Sequence, residues 1–158
     1  MNHNKIVCFT GHRKIPYSNR ARLIRALNAE VARQIEAGAT VFRAGGALGF
    51  DTLAAFTVLK HREINPQIRL ELILPCPSQA DGWSHEDRIL YQKVLSLADS
   101  YLYVSQTYYD GVLHLRNRRL VEGADVCVAY LTRSSGSGSA YTSMLAIQSG
   151  LEYVNLGD

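Results

Sequence analysis

Short apolar runs alternate along the chain with longer segments in which apolar residues recur every three or four positions. Runs of this kind that are rich in β-branched and aromatic side chains are typical of buried β-strands. Six of them occur, at residues 5–11, 39–46, 68–75, 100–105, 125–131 and 152–156. They predict six strands, of which the first, KIVCFTG, ends at Gly11.

The five segments between these runs show the spacing of amphipathic helices. The first helix is predicted to run from Ser18, its N-cap, to about Gly38, because glycine commonly stops a helix. Ser84 is predicted to cap the third helix. The second to fifth helices are predicted over residues 51–63, 84–98, 109–124 and 137–150.

The strict alternation of strands and helices favours one architecture. Parallel strands need crossover connections, and helices in right-handed crossovers cover the faces of the sheet. We therefore predict an α/β fold of the Rossmann-like, doubly wound type, with a mostly parallel sheet and helices on both faces. No linker or internal repeat divides the chain, so residues 1–158 are expected to form a single domain.

Composition and charge exclude several classes of function. The chain is 47% hydrophobic and 20% charged, as in ordinary globular proteins. No stretch approaches the roughly 20 apolar residues of a membrane span, and the first residues are unlike a signal peptide, so we expect a cytoplasmic protein without a membrane partner. The cysteines and histidines show no metal-binding spacing, so neither a metal site nor a cofactor is expected. The net charge of +3 favours an anionic partner only mildly, and a small phosphorylated ligand would satisfy it.

The loops that follow three of the predicted strands are rich in glycine, small hydroxyl residues or arginine. They are TGHRK (10–14), AGGALGFD (44–51) and TRSSGSGS (132–139). The carboxyl ends of parallel strands share one edge of a sheet, and ligands bind there at the point where the strand order reverses. Since glycine lets a ligand approach the backbone and a helix N-terminus adds positive potential, these loops predict an anion-binding pocket. The ligand-binding residues predicted in them are Gly11, His12, Arg13, Gly45, Gly46, Gly49, Asp51, Gly136, Gly138 and Ser139.

Each residue type in these loops also has another use. Glycines between a strand and a helix often only reverse the chain, and AGGALGFD is not a GxGxxG fingerprint. Arg13 is placed to bind a phosphate, or it is a solvated surface charge. His12 is an acid or base, or else a hydrogen-bonding or stacking group. Asp51 either caps the second helix or faces the hydroxyls of a ribose, because its carboxylate would repel a phosphate on the same amides.

Three arginines lie close together in the segment LHLRNRRLVEGADV (113–126). On a helix, Arg116 and Arg119 share one face, while Arg118 points elsewhere. We expect at least one of the three to face the pocket, the alternative being a solvated basic face. Arg116 and the adjacent Asn117 complete the set of predicted ligand-binding residues.

Several of these motifs resemble those of a known superfamily. AGGALGFDTLAA resembles the glycine-rich signature of the DNA-processing DprA/Smf proteins, and the C-terminal third of the chain resembles the LOG-type nucleotide phosphoribohydrolases. Both belong to the SLOG superfamily of Rossmann-like ligand-binding domains. The order of TGHR, GGALGFD, LRNRRLVEGADVCVAYL and a late glycine-serine loop resembles most the small stand-alone YpsA-like branch, over about residues 5 to 150.

The resemblance implies roles for particular residues. In LOG enzymes an arginine and a glutamate attend the glycosidic bond of a nucleoside monophosphate, and the similarity places Arg116 at the arginine position. Thr142 falls at the glutamate position, and since a threonine cannot act as a carboxylate, this difference disfavours phosphoribohydrolase activity. The candidate catalytic residues are therefore Arg116 and Asp51. A homodimer is expected by analogy with other doubly wound domains.

These observations leave three hypotheses of function. The leading one is the binding or sensing of a nucleotide or nucleotide-derived ligand in the pocket. The first alternative is a nucleotide N-glycosidase in which Asp51 or another acid replaces the missing glutamate. The second alternative, least favoured at a net charge of +3, is DprA-like binding of single-stranded DNA.

Overall fold

Strands and helices alternate along the chain, as the hydrophobic pattern predicts. The structure is a computed structural model that describes residues 4–132 and 138–157. The strands are β1 (Lys5–Gly11), β2 (Ala39–Ala44), β3 (Arg69–Leu74), β4 (Ser100–Tyr103), β5 (Val126–Tyr130) and β6 (Glu152–Asn155). The helices are α1 (Tyr17–Glu36), α2 (Phe50–Ile64), α3 (His85–Leu97), α4 (Val112–Val121) and α5 (Gly138–Gln148).

The strands form one sheet in the order β4-β3-β2-β1-β5-β6, and every neighbouring pair is parallel. The chain moves outward from β1 to β4 and then crosses back to β5 on the other side of β1. This reversal separates α1 to α3, which pack in sequence, from α4 and α5, which pack on each other, and places the two groups on opposite faces. The predicted Rossmann-like, doubly wound fold is confirmed, and the strand order reverses between β1 and β5.

Aromatic side chains fix the start of α2 against the end of β1. Phe9 and Phe42 stack with ring centroids 6.1 Å apart, and Phe50 stacks on Tyr130 at 6.0 Å. All four residues are fully buried. The ring of Phe50 occupies the space in which a side chain on Gly11 would lie. The glycine at the end of β1 is therefore required for the packing of α2.

Two of the predicted helix ends, at Gly38 and Ser84, are correct, and that at Ser18 is wrong. Gly38 follows the last turn of α1 with φ +99°, and the hydroxyl of Ser84 accepts the N–H of Asp87 at 3.2 Å. Ser18, however, is not the N-cap of α1, because the helix already begins at Tyr17. Pro16 precedes it with φ −55° and ψ 136°, and its carbonyl accepts the N–H of Asn19, so the rigid proline starts the helix without a side-chain cap.

Glycines also account for two other differences from the predicted bounds. The strand β2 ends at Ala44, because Gly46 and Gly49 turn the chain with φ +72° and +75°. The helix α4 begins at Val112, because Gly111 before it has φ +99°, a conformation that a helix cannot contain. In the described ranges we find no helix with the length and apolar character that spanning a membrane requires.

Candidate functional site

A cleft of about 820 Å³ opens at the edge of the sheet where the strand order reverses. Its walls come from the end of β1 and the loop behind it, from the start of α2, from one side of α4 and from the start of α5. The described residues that line it and were predicted to bind a ligand are Gly11, His12, Arg13, Asp51, Arg116, Asn117, Gly138 and Ser139. The fold thus brings together residues from all three predicted loops and from the arginine-rich helix.

Arg116 is the arginine of α4 that reaches the cleft. It is 5% exposed, its Nη1 donates to the carbonyl oxygen of Gly45, and its Nε donates to Oδ1 of Asn117 at 2.9 Å. Burial lowers the pKa of Arg116, although the nearby carboxyl of Asp51 opposes this shift. Its Nη2 has no acceptor among residues 4–132 and 138–157. Arg118 is exposed and Arg119 half-exposed, and neither lines the cleft.

Arg43 holds α4 in the position that brings Arg116 to the cleft. It lies on β2 and is 9% exposed, and its Nη1 donates to the carbonyl of Glu122 at 2.6 Å and to that of Leu120 at 3.4 Å. These carbonyls belong to the end of α4, where they lack partners within the helix. The prediction of functional residues omitted Arg43. The signal that could have found it is a charged residue in the middle of an apolar strand.

Asp51 is the second residue of α2 and is 6% exposed. Its Oδ2 accepts the backbone N–H of Ala47 at 3.1 Å, so the side chain closes the preceding loop and is not the helix cap, a position that Gly49 occupies. Burial raises the pKa of Asp51 to about 6, although Arg116, the N–H of Ala47 and Arg13 oppose this shift. The cleft therefore contains a carboxyl group whose pKa is raised well above its ordinary value.

The glycines after β2 lie behind the wall of the cleft and accommodate groups of the protein itself. Gly45 separates Arg116 from Asp51, and Gly46 has its carbonyl bound by Nε2 of Gln79 at 3.1 Å. A side chain on Gly49 would overlap the main chain of Arg13. None of the three glycines lines the cleft. Their predicted contact with a ligand remains a prediction, whereas their packing role is visible.

His12 connects three elements at the base of the cleft. Its Nε2 accepts the backbone N–H of Thr132 at 3.0 Å, and its ring meets that of Tyr130 edge-on at 5.7 Å. Its carbonyl accepts the N–H of Phe50 at 3.0 Å. Of the two uses considered for this histidine, the structure therefore shows hydrogen bonding and ring contact. Arg13 beside it is exposed at the cleft, and its guanidinium has no hydrogen-bond or ion-pair partner in the described ranges.

The start of α5 forms another part of the wall of the cleft. Gly138 and Ser139 line the cleft there, while Gly136 lies outside the described residues. Thr142 is fully buried and donates its hydroxyl to the carbonyl of Gly138 at 3.0 Å. The position that the resemblance relates to a catalytic glutamate therefore carries no group that faces the cleft. The described chain also contains no group of three or more potential metal ligands.

The sheet order and the cleft at its reversal define a Rossmann-like α/β domain. The model of the YspA SLOG family matches residues 8–152. The chain therefore belongs to this family, as the order of its motifs predicts.

Individual relatives support the same assignment. The chain is 31% identical over 133 residues to a UPF0398 protein of Halalkalibacterium halodurans, a match that covers 82% of this chain and 68% of the relative. A UPF0398 protein of Brevibacillus brevis is 29% identical over 116 residues, with 72% and 62% covered. A third, from Bacillus cereus AH187, is 26% identical over 107 residues, with 66% and 58% covered. The chain thus spans roughly three fifths to two thirds of the length of these relatives.

The fold also matches that of a solved structure. DNA processing protein A from Helicobacter pylori, studied for its single-stranded DNA binding mode, superposes with a TM-score of 0.66 at 22% sequence identity. The match covers 96% of this chain and 64% of that protein. At this level of identity the similarity shows a shared fold.

Proposed function

We propose that the protein binds, and in this way senses, a nucleotide or nucleotide-derived ligand in the cleft between β1 and β5. The observation that carries the proposal is the 820 Å³ cleft into which Arg13 and Arg116 project from different elements. A volume of this size is typical of sites for small molecules. Membership of a family within the SLOG superfamily is consistent with such a ligand.

The two sides of the cleft suit the two ends of a nucleotide. Arg13 and Lys14 lie on one rim of the cleft, which the start of α5 also lines, and the N-terminus of a helix carries a positive potential that favours an anion. Ile15, Pro16 and Leu113 supply apolar surface for a base. We therefore place the phosphate near the basic rim and the base on the apolar wall.

Calorimetric titration with AMP, ADP-ribose, NAD and cyclic nucleotides tests the proposal. Binding of at least one of them is expected, together with a ligand-dependent increase in melting temperature. Arg116→Ala should abolish this binding, whereas Arg118→Ala, on an exposed position of the same helix, should retain it. The absence of heat and of any thermal shift across the whole set would refute the proposal.

Binding of single-stranded DNA is a second candidate, favoured by an uneven distribution of charge. Residues 1–29 contain six basic residues and no acidic one, so the remaining chain carries a net charge of about −3. Three of these basic residues, Arg20, Arg22 and Arg25, are exposed on α1, and Tyr17 at the start of the helix is 92% exposed. A basic surface beside an aromatic ring is typical of single-strand binders, and the H. pylori protein of the same fold is described as binding single-stranded DNA.

Fluorescence anisotropy with a labelled oligonucleotide separates this candidate from the first. Binding of an extended DNA strand to α1 would weaken steeply as the salt concentration rises. Replacing the three α1 arginines by alanine would reduce the slope of log K against log salt concentration by about 0.7 for each lost phosphate contact. The same triple variant should leave the binding of AMP or ADP-ribose unchanged. Absence of oligonucleotide binding at low salt would eliminate the DNA candidate.

Cleavage of an N-glycosidic bond is a third candidate, favoured by Asp51 alone. Its buried carboxyl lies in the cleft beside Arg116, and a pKa of about 6 suits a general acid or base near neutral pH. Chromatography of reactions with nucleoside monophosphates should then detect free base, and both Asp51→Asn and Arg116→Ala should abolish it. If no base is released over the panel, the cleavage candidate is eliminated. The expected homodimer is tested separately by light scattering.

A further inference from the structure

We infer that the corner of the cleft between Asp51 and Arg116 binds the vicinal hydroxyls of a ribose, so that the site selects ribonucleotides over their deoxy counterparts. The inference rests on the proposed nucleotide function and specifies which part of the ligand each wall contacts. It is carried by the placement of one buried carboxyl beside one buried guanidinium at the same point of the cleft.

The two groups lie close together without forming an ion pair. A β-carbon built on Gly45 would lie 2.8 Å from Nη1 of Arg116 and 2.9 Å from Oδ2 of Asp51, so both groups lie next to that position. Within residues 4–132 and 138–157, neither of them belongs to an ion pair of 4.0 Å or less. Both line the cleft, although they are only 5% and 6% exposed.

Each group retains unused hydrogen-bonding capacity. The carboxyl of Asp51 accepts the N–H of Ala47 through Oδ2 and is also stabilised by the N–H of Gly45, whereas an ionised carboxylate can accept about four hydrogen bonds. Arg116 uses Nε and Nη1 for Asn117 and Gly45, so the two N–H donors of Nη2 have no partner among the described residues. The corner therefore presents hydrogen-bond acceptors beside hydrogen-bond donors at the surface of the cleft.

This pair of groups matches a diol better than a phosphate. A phosphate would accept from Arg116 but would be repelled by the carboxylate of Asp51, which is the only acidic residue among the described residues of the cleft. A vicinal diol can donate to the carboxylate and accept from the guanidinium at the same time. The phosphate is then left to Arg13 and Lys14, the other cations that line the cleft, of which Arg13 also lies near enough to Asp51 to oppose the rise in its pKa.

Calorimetry with matched sugars tests the inference. The probes are AMP and ADP-ribose, each compared with its 2′-deoxy analogue, and AMP is also compared with 2′,3′-dideoxy-AMP. Loss of hydrogen bonds to a charged group should weaken the binding of the dideoxy compound by about 10- to 100-fold in the wild-type protein. In Asp51→Asn the ratio of the two affinities should fall towards one. Asp81→Asn, an exposed aspartate outside the cleft, should keep the wild-type ratio.

The comparison of ratios separates ligand contact from a structural role. If Asp51 only maintains the loop, Asp51→Asn will weaken every analogue by the same factor, and the inference is then wrong. The inference would also be overturned if the affinity depended on the base, measured as AMP against GMP, and not on the sugar. If ribose and deoxyribose compounds bind equally to the wild type, the inference fails while the proposed function stands. If no compound binds, both fail.

Discussion

Arg116 and Asp51 meet on either side of Gly45, with Nη1 of the arginine and Oδ2 of the aspartate each within 3 Å of the place where a β-carbon would be. The arginine comes from α4 and the aspartate from α2, which pack on opposite faces of the sheet. At the end of β2, side chains from the two layers of helices thus approach each other. A residue without a side chain is required there because both charged groups fill the available space.

Gly45→Ala should disturb both charged groups at once. The added methyl group would overlap the two side chains and displace them from their hydrogen bonds with Ala47, Asn117 and Gly45, so we expect a loss of about 1–3 kcal/mol in the free energy of unfolding and a loss of nucleotide binding. Urea unfolding and calorimetric titration measure the two effects. Gly82→Ala is the matched control, because nothing lies within 4 Å of its β-carbon, and it should change stability by less than about 1 kcal/mol. Equal effects of the two substitutions would contradict the packing role of Gly45.

Gly49→Ala should be more damaging than a substitution at another glycine with positive φ. Gly49 has φ +75° and ψ −117°, a region that only glycine readily adopts, and its β-carbon would overlap the main-chain carbonyl of Arg13. Gly150 also has positive φ, at +82°, but has free space around it. We expect Gly150→Ala to cost about 1–2 kcal/mol in unfolding free energy and Gly49→Ala at least about 2 kcal/mol more, as measured by urea unfolding. Similar urea midpoints of unfolding for Gly49→Ala and Gly150→Ala would contradict this prediction.

The position of the candidate site could be predicted from the sequence because it follows from topology. Once strands and helices alternate, the loops after β1, β2 and β5 must reach one edge of a parallel sheet. The predicted loops around Arg13, Asp51 and Ser139 do meet in one cleft. The regular spacing of apolar residues therefore determines the place of the site without any knowledge of side-chain contacts.

The roles of individual residues could not be predicted in the same way, because they depend on contacts between distant segments. A glycine that accommodates a ligand and one that accommodates a protein side chain have the same sequence signal, and only the structure places Phe50 on Gly11 and Arg116 beside Gly45. Arg43 is a similar case, since its partner is the end of α4, 77 residues further along the chain. The loop that closes over Asp51 through Ala47 likewise has no sequence pattern of its own.

Arg116→Met should raise the pKa of Asp51 further. In the wild-type protein burial raises this pKa to about 6, and the positive charge of Arg116 is the largest of the effects that oppose the shift. Methionine retains most of the buried volume but removes the charge, so the ionised carboxyl loses its main stabilisation. Titration of the carboxyl ¹³C signal of Asp51 by NMR measures the change. Arg118→Met, on the exposed side of α4, should leave the titration curve in place, and a curve that moves to lower pH in Arg116→Met would exclude the proposed coupling.

Asp51→Asn should change the way in which stability depends on pH. Because the pKa of Asp51 is raised from 3.8 to about 6 in the folded protein, folding favours its protonated form, and this contribution to stability is complete below about pH 4 and is lost as the pH rises through 6. A shift of about 2 units corresponds to roughly 3 kcal/mol. Asparagine is never ionised and can still accept the N–H of Ala47 through its amide oxygen.

The variant should therefore gain stability relative to the wild type between pH 5 and pH 8, by at most this amount. Urea unfolding of both proteins at the two pH values measures the gain. Arg116 and Arg13, the cations that act on Asp51, stay charged across this range, so they do not produce the same dependence. Asp81→Asn removes an exposed carboxyl, and its stability relative to the wild type should be the same at the two pH values. A stability difference between Asp51→Asn and the wild type that is the same at pH 5 and pH 8 would mean that this carboxyl does not titrate near neutral pH.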